Sequence, residues 1–453
     1  MLKKSRKFMV GAATMSMIVT MAMPAVAQTI LPKSVSVYAE TTASSGDTES
    51  AETTKKEEPT AVAEKITSQG KCGDNATYKY DSNTQTITVS GTGDMWDDYG
   101  FAKTLTSAKK VVIENGIQSV GAYSFQGLNN VTDISIAESV KTVKTCAFPE
   151  VEGAVEIPKS VTTVETNAFG GAKKYVIKGD VAGYAVSALG YFSIDEVMIY
   201  GAAQDLGMAV YGAGAQTITI AQENTKCKVA GGCLLSSDGK QLYYCISSRG
   251  SVSIPDSVET IARAAFCNKS IREVTLGKNV KQIGDYAFGL VRVKKINVNK
   301  NLKSIGTRAF YGAKLSDVSF AGKVKLGINA FNDKVKIKYL KKFKTSQTTV
   351  NTATVGKAKY DIRYAKVSGA KGYQIRIKMG KKTYQYFTSK NYYNKKAPKA
   401  ITKDYRVSKE YNIGETAENP SGAAYVTVRP YKVVKNKKSY GRWSEKIVLN
   451  YEN

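Results

Sequence analysis

SVSIPDSVETIARAAF (251–266), EVTLGKNVKQIGDYAF (273–288), KINVNKNLKSIGTRAF (295–310) and DVSFAGKVKLGINAF (317–331) are one sentence repeated, each ending on Ala-Phe. Phe266, Phe288, Phe310 and Phe331 are spaced 22, 22 and 21 residues apart. A fixed period in the twenties marks a solenoid and takes precedence over any local pattern. Within one unit, Val274 and Leu276 alternate as a short strand with one buried face, and Val280, Ile283, Ala287 and Phe288 turn back over it. One such unit cannot bury its apolar side alone, so neighbours must stack at a strand spacing of roughly 4.8 Å.

The same period extends towards the N-terminus. Ile113, Ile136, Ile157, Ile177, Ile199, Ile220, Ile254, Leu276, Val298 and Phe320 follow at intervals of 23, 21, 20, 22, 21, 34, 22, 22 and 22. Ten rungs are expected over residues 111–333, and the one long interval holds an inserted hairpin at 233–245, with Asp238-Gly239 as a two-residue turn. Phe125, Phe148 and Phe169 fill the Ala-Phe slot early, whereas the units between 172 and 221 lose it and are rich in Gly and Ala. Ahead of the repeats, Ala76 to Tyr80 and Thr86 to Ser90 flank the turn formers Asp81-Ser82-Asn83, and this segment (69–110) is expected to cap the open first rung.

Lys3, Lys4, Arg6 and Lys7 precede an uncharged run from Phe8 to Met23, and Ala25-Val26-Ala27 offers a cleavage site, with Val37-Tyr38-Ala39 as an alternative. Residues 1–27 therefore read as a signal peptide and 28–68 as a disordered linker rich in Thr, Ser, Ala, Glu and Lys. From Lys334 to Asn453 the chain carries 29 Lys+Arg against 7 Asp+Glu, which is +22 of its formal +28. Short alternating strands in this part, such as Tyr373 to Lys378 and Tyr425 to Lys432, point to an all-β sandwich.

Several motifs carry a family resemblance. GKCGDNATYKYD with TITVSGTGDM, the IPxSVxxIxxxAF units, and the GCLLSSDGKQLYYC hairpin followed by SVSIPDSV resemble the BspA-type leucine-rich repeat proteins of bacterial cell surfaces, over roughly residues 70–333. SGAKGYQIRI, YVTVRPYKVV and KSYGRWSEKI resemble fibronectin type III-like modules, with Tyr364 where such modules often place a tryptophan. The resemblance implies a mainly β leucine-rich repeat solenoid followed by an all-β sandwich at 334–453. It also implies adhesion or recognition of a host or neighbouring-cell protein or glycan.

The absence of histidine excludes Ser-His-Asp and Cys-His nucleophiles and His-ligated zinc hydrolases. Asp94, Asp97 and Asp98 around Trp96 are the best carboxylate cluster for glycoside chemistry, but they sit among turn residues that favour Asp anyway. No catalytic, metal or cofactor site is expected. Six cysteines in an exported chain permit disulfides; Cys146 and Cys267 read as packing residues beside Phe slots, while Cys227, Cys233 and Cys245 near the insert leave the pairing open.

The outward strand positions are the expected binding face: Asp133, Ser135, Glu156, Lys178 and Tyr200, continuing through Thr219, Ser253, Thr275, Asn297 and Ser319. Such a polar strip suits a protein or another extended ligand. In the basic part, Lys381, Lys382, Lys395, Lys396, Lys435, Lys437 and Lys438 fall at expected turns and are candidates for contact with a polyanion. For an exported protein the expected polyanions are anionic cell-wall polymers such as teichoic acids, anionic glycans or membrane surfaces rather than nucleic acid. The long signal and the lack of outer-membrane features favour a Gram-positive bacterium. No sorting motif or apolar anchor follows Trp443, so neither covalent attachment nor a transmembrane anchor is expected. The competing reading is a carbohydrate-binding accessory protein with Trp96 and exposed tyrosines as stacking platforms.

Overall fold

The computed structural model describes residues 67–97, 101–247, 249–267, 269–340, 344, 346–356, 359–397 and 424–452. The expected signal peptide, almost all of the linker, and Asp98 lie outside the described residues.

The chain enters the described part through three antiparallel strands, Thr67–Lys71, Gly73–Asp81 and Thr86–Met95. The expected turn is present, with the Asn83 amide donating to the Asp81 carboxylate at 3.0 Å. Thr86–Met95 then serves both ladders of the solenoid. Its first half pairs in parallel with Lys110–Ile113, and Gly93 and Asp94 pair with Ile117–Val120. The bend between these halves needs Gly91, at φ 112°, where an added Cβ would stand 2.1 Å from the Asn75 carbonyl oxygen.

Eleven strands, hydrogen-bonded in four groups rather than one continuous sheet, occupy the first ladder, from Lys110–Ile113 to Lys336–Tyr339. The last pairs in register with Asp317–Phe320, one rung beyond the ten legible in the sequence and past residue 333. The second ladder is made of two-residue strands such as Thr142–Val143, Thr163–Val164, Gln282–Ile283 and Ser304–Ile305. Between successive turns the phenylalanines stack in parallel: Phe125 on Phe148 at 4.7 Å, and Phe266, Phe288, Phe310 and Phe331 at 4.4, 4.8 and 5.0 Å. The residue two before each of these rings takes a positive φ, including Cys146, Tyr286 and Arg308 at 51°–54°, as does Asn167 before Phe169 at 53°. That left-handed conformation is costly for a residue with a Cβ. It aims each amide at the next turn, as in Tyr286 N to Thr307 O at 2.9 Å and Arg308 N to Ile328 O at 2.8 Å. A third ladder results along these phenylalanine-bearing rungs, each supplying one strained residue and gaining one inter-rung hydrogen bond, whereas the rung with the Leu206–Ala209 turn has no such residue.

The two phenylalanine stacks are separated by the thin middle units. There Leu206–Ala209 forms one helical turn in which Gly207 packs against Ala264; a Cβ on it would lie 2.4 Å from the Ala264 carbonyl oxygen. The insert comes next as three antiparallel strands, Cys227–Ala230, Cys233–Ser236 and Gln241–Cys245. Its turn differs from the expected two-residue form. The Gly239 amide donates to Ser236 O at 2.8 Å and only Gly239 has a positive φ, so a four-residue connection joins the strands. Gln241–Cys245 then pairs in parallel with Thr260–Ile261, which makes the insert the starting edge of the next ladder segment. Leu234 and Tyr244 join the apolar core on its N-terminal side, whereas Cys233, Leu235, Leu242 and Cys245 join the core on its C-terminal side.

At the far end the chain fills the open rung with a buried polar run, Ser346 to Thr349. Thr348 Oγ1 donates to Ala365 O at 2.6 Å, Thr349 Oγ1 to Gly327 O at 2.7 Å, and Gln347 Nε2 to Trp443 O at 2.8 Å. Lys366–Val367 adds in parallel to Lys336–Tyr339. Beyond this junction, Val350–Gly356, Lys359–Tyr364, Tyr392–Tyr393 and Asn450–Glu452 make one sheet. Gly372–Met379, Lys382–Thr388, Ala424–Val434, Lys437–Tyr440 and Ile447–Val448 make another. Tyr360, Ile362 and Tyr364 of the first sheet and Ile375, Val426 and Val428 of the second share one apolar core. The expected Asn436-Lys437 turn is shifted by one: Lys435 and Asn436 hold the positive φ angles, 48° and 60°, and Lys437 starts the next strand.

Candidate binding surfaces

The outward residues of the first ladder form two columns, because alternate side chains share a face and the strands are in register. Lys110 faces Asp133, and Lys174 faces Glu196 and Thr217; one column over, Glu156 faces Val176, Met198 and Thr219. Eight of the expected face residues occupy these columns. Lys178 and Tyr200 do not: they come after the strands Lys174–Ile177 and Ile194–Ile199, and Val176 and Met198 hold the column positions instead. The misplacement comes from counting one residue past the strand-ending isoleucine rather than one before it. Lys178 does lie over the Tyr200 ring at 4.0 Å and 3.7 Å from Glu156.

Charges on this face neutralise one another from rung to rung. Asp133 meets Lys110 at 2.8 Å, Glu273 meets Lys295 at 2.7 Å, and Asp317 meets Lys338 at 3.1 Å. Asn297 Nδ2 donates to Glu273 at 2.8 Å and to Thr275 at 3.0 Å, and Thr219 Oγ1 donates to Glu196 at 2.8 Å. The Lys295 bond, followed by the Asn297 bond, holds the Glu273 carboxyl below its ordinary range. The strip is about 50 Å long at one strand spacing per rung. It offers paired charges and hydroxyls rather than a net field.

The acidic cluster is tied to structural work. Asp94 accepts from Ser119 Oγ at 2.7 Å, and Asp97 accepts from the Ala122 amide at 2.9 Å and from Lys144 at 3.0 Å. Burial alone would raise the Asp97 carboxyl, yet these two partners hold it below its usual range. Trp96 is exposed and its indole donates to Asp74 at 3.0 Å, which fixes the ring on the surface. Among the described residues no group of three or more Cys, Asp or Glu could hold a metal. Val186, Tyr191 and Phe192, the last 62% exposed, are exposed apolar residues of the thin units. The Gly-Tyr-Phe at 190–192, in a unit lacking its Ala-Phe slot, is the sequence signal that could have revealed the last two.

The expected lysines of the C-terminal part do not form one patch. Lys381 and Lys382 lie at the turn where Met379 pairs with Lys382 and Ala424, and Lys395 and Lys396 sit beside Lys359. Lys435, Lys437 and Lys438 lie at the other end of Ala424–Val434. An extended strand of 11 residues separates the two turns, about 34 Å end to end at roughly 3.4 Å per step, several screening lengths in physiological salt. The second turn opens on a shallow groove of about 770 Å³ lined by Lys344, Lys432, Val434, Lys437, Lys438, Ser439 and Tyr440. Sequence reading missed Lys344, Lys432 and Tyr440; for Lys432 and Tyr440 the signal is the alternation Tyr431-Lys432 and Ser439-Tyr440 on two paired strands. Lys438 Nζ sits 3.9 Å over the Phe387 ring.

Among the described residues, Lys344, Lys437 and Lys438 have no carboxylate partner. The two acids with described side chains here are already engaged, Asp361 with Arg363 at 3.1 Å and Glu445 with Lys325 at 3.2 Å. Nearby arginines are held differently: Arg376 stacks on Trp443 at 4.2 Å, and Arg429 lies between Trp443 at 4.4 Å and Tyr440 at 3.9 Å. No described helix is long and apolar enough to cross a membrane.

The family described as BspA type Leucine rich repeat region matches residues 74–207 and 239–355 in six copies, more than half of the chain. No match is found among curated proteins. Among solved structures, similarity is found to the pneumococcal vaccine antigen PcpA, at 15% identity over 61% of this chain and 82% of that one, TM-score 0.40. A leucine-rich repeat protein of Eubacterium ventriosum matches at 14% identity over 60% and 95%, TM-score 0.35. A leucine rich cell surface protein of Faecalibacterium prausnitzii matches at 16% identity over 58% and 87%, TM-score 0.39. Period, stacked phenylalanines and family match agree, and the chain belongs to the BspA-type leucine-rich repeat family.

Proposed function

We propose that this protein is an exported, non-enzymatic binding protein of a bacterial surface, adhesin-like in its solenoid and cationic in its C-terminal part. The C-terminal residues, taken as a fibronectin type III-like module, would hold an anionic wall polymer. The solenoid strip would take a protein or another extended ligand. One observation carries this reading: charge is paired rung by rung on the solenoid, whereas Lys344, Lys437 and Lys438 line a groove with no acidic partner among the described residues. A cationic groove with an aromatic wall attracts polyanions through a field that salt weakens. Two lysine-rich ends of one sheet suit a polymer, which can engage both at once.

Retention on isolated Gram-positive cell walls tests the reading. The full chain is expected to be retained at low salt and released as salt rises, with Lys437→Glu/Lys438→Glu eluting at lower salt than Lys381→Glu/Lys382→Glu. Retention insensitive to both pairs and to salt would refute the electrostatic tether.

A further inference from the structure

Cys233 and Cys245 stand directly opposite each other on antiparallel strands of the insert. The hydrogen bonds around them decide the kind of pair they form. The Ile246 amide donates to Gly232 O at 2.9 Å, one residue outside the pair on each strand, while the Cys245 amide donates away to Ala265 O at 2.7 Å on the next rung. Cys233 and Cys245 are therefore a non-hydrogen-bonded pair, the position in an antiparallel ladder where Cα atoms approach to about 4.5 Å. That spacing lies within the range a disulfide spans, about 4.4–6.8 Å. Both residues belong to the same apolar core and both are fully buried, so their side chains share one face.

Cys233 Sγ and Cys245 Sγ also lie against carbonyls two residues away in the chain, Gly231 O at 3.6 Å and Ser247 O at 3.4 Å; what sets them apart from the other four cysteines is a cysteine directly opposite. Cys227 Sγ lies 3.3 Å from Gly201 O, Cys267 Sγ lies 3.1 Å from Gly207 O, and Cys146 meets Asn167 at 3.5 Å. Cys72 is buried near the N-terminal strands, and none of the four is the register partner of another cysteine.

We propose that Cys233 and Cys245 form a disulfide in the exported protein, closing the hairpin that joins the two solenoid cores. The hairpin is local, with only twelve residues from one cysteine to the other, and such hairpins form within microseconds. The pair therefore meets before the neighbouring rungs seal it. Within the hairpin itself, a hydrogen bond from Cys233 lowers the Cys245 thiol from its ordinary value, which favours Cys245 as the first to attack.

The Cys245 thiolate attacks a sulfur of an external disulfide, a small-molecule disulfide or that of an exchange protein, and expels one external thiolate. Cys233, after losing its proton to solvent or to the departing thiolate, then attacks Cys245 Sγ in the mixed disulfide and expels the second external thiolate. Two protein thiols are oxidised and one external disulfide is reduced to two thiols, so electrons and protons balance. The closed bond ties Leu234 and Tyr244 of one core to Leu235 and Leu242 of the next.

The test uses the wild-type full chain, exported into an oxidising compartment, alkylated without reduction and digested with trypsin. Cys233 falls in the peptide 229–240 and Cys245 in the peptide 241–249, each with no other cysteine. We expect one linked species about 2 Da below the sum of the two thiol peptides, and alkylated peptides for the other four cysteines. Reduction before alkylation should convert the linked species fully into its two labelled halves. Recovery of both peptides alkylated from the unreduced protein, or a link from either to Cys227 or Cys267, overturns the proposal. A Cys227→Ala variant must leave the linked species intact; its loss there would also overturn it.

Discussion

Replacing Phe288 by Ala tests the packing on which the whole solenoid depends. The ring is fully buried and lies between Phe266 at 4.4 Å and Phe310 at 4.8 Å, the latter tilted by only 9°. Removing its apolar surface from the core loses about 1.5–3 kcal/mol, and each aromatic contact contributes about 0.5–1.5 kcal/mol beyond area burial. Partial collapse of neighbouring rungs recovers some of this, so a net loss of about 4 kcal/mol is expected, within the roughly 3–5 kcal/mol typical of Phe→Ala in cores. Phe331 has one parallel neighbour, Phe310 at 5.0 Å, and its replacement should cost less. Urea unfolding followed by circular dichroism is the assay, with Phe192→Ala as the exposed control. The control should change stability by less than about 0.5 kcal/mol. A loss below about 1 kcal/mol for Phe288→Ala would refute the stacked-rung account, because a buried ring between two others has no inexpensive replacement.

Three further outcomes rest on particular contacts. Glu273 has its carboxyl lowered by Lys295 and Asn297, so its stabilisation is complete above the unfolded value near 4.3 and is lost as pH falls through the lower folded value. Glu273→Gln should therefore melt below wild type at pH 6 and converge with it by about pH 2.5; a constant gap would contradict the assignment. Gly207→Ala should destabilise the middle units, since its Cβ would lie 2.4 Å from the Ala264 carbonyl oxygen, and a thermal melt unchanged from wild type would show that the helical turn can retreat. Trp443→Ala removes the surface on which Arg376 and Arg429 stack, and a loss of about 1–2 kcal/mol by urea titration is expected for two cation–π contacts.

The period was legible because every rung repeats the same core demand: Phe266, Phe288, Phe310 and Phe331 each need a neighbour one turn away. The eleventh rung was not, because Lys336–Tyr339 has no Ala-Phe pair and shares its lysine-rich composition with the C-terminal part of the chain. Residues such as Tyr286 and Arg308 give no local sign of a left-handed backbone; the ladder of inter-rung amide bonds imposes it. The groove was hidden for a different reason. Strand order in the second C-terminal sheet, with Ala424–Val434 between Gly372–Met379 and Lys437–Tyr440, sends two lysine-bearing turns to opposite ends, and sequence alone does not contain that order. Column assignment failed only at Lys178 and Tyr200, which lie two residues beyond the column positions Val176 and Met198 and so past the ends of their strands.

The most direct measurement of the central claim is the affinity of the full chain for a soluble phosphate polymer across a salt series, for wild type and for Lys437→Glu/Lys438→Glu. If Lys437 and Lys438 of the groove hold the polyanion, wild-type affinity falls steeply with salt, and the variant binds more weakly with a shallower dependence. Equal affinity and equal salt dependence for the two proteins would contradict the claim and move polyanion binding away from the groove.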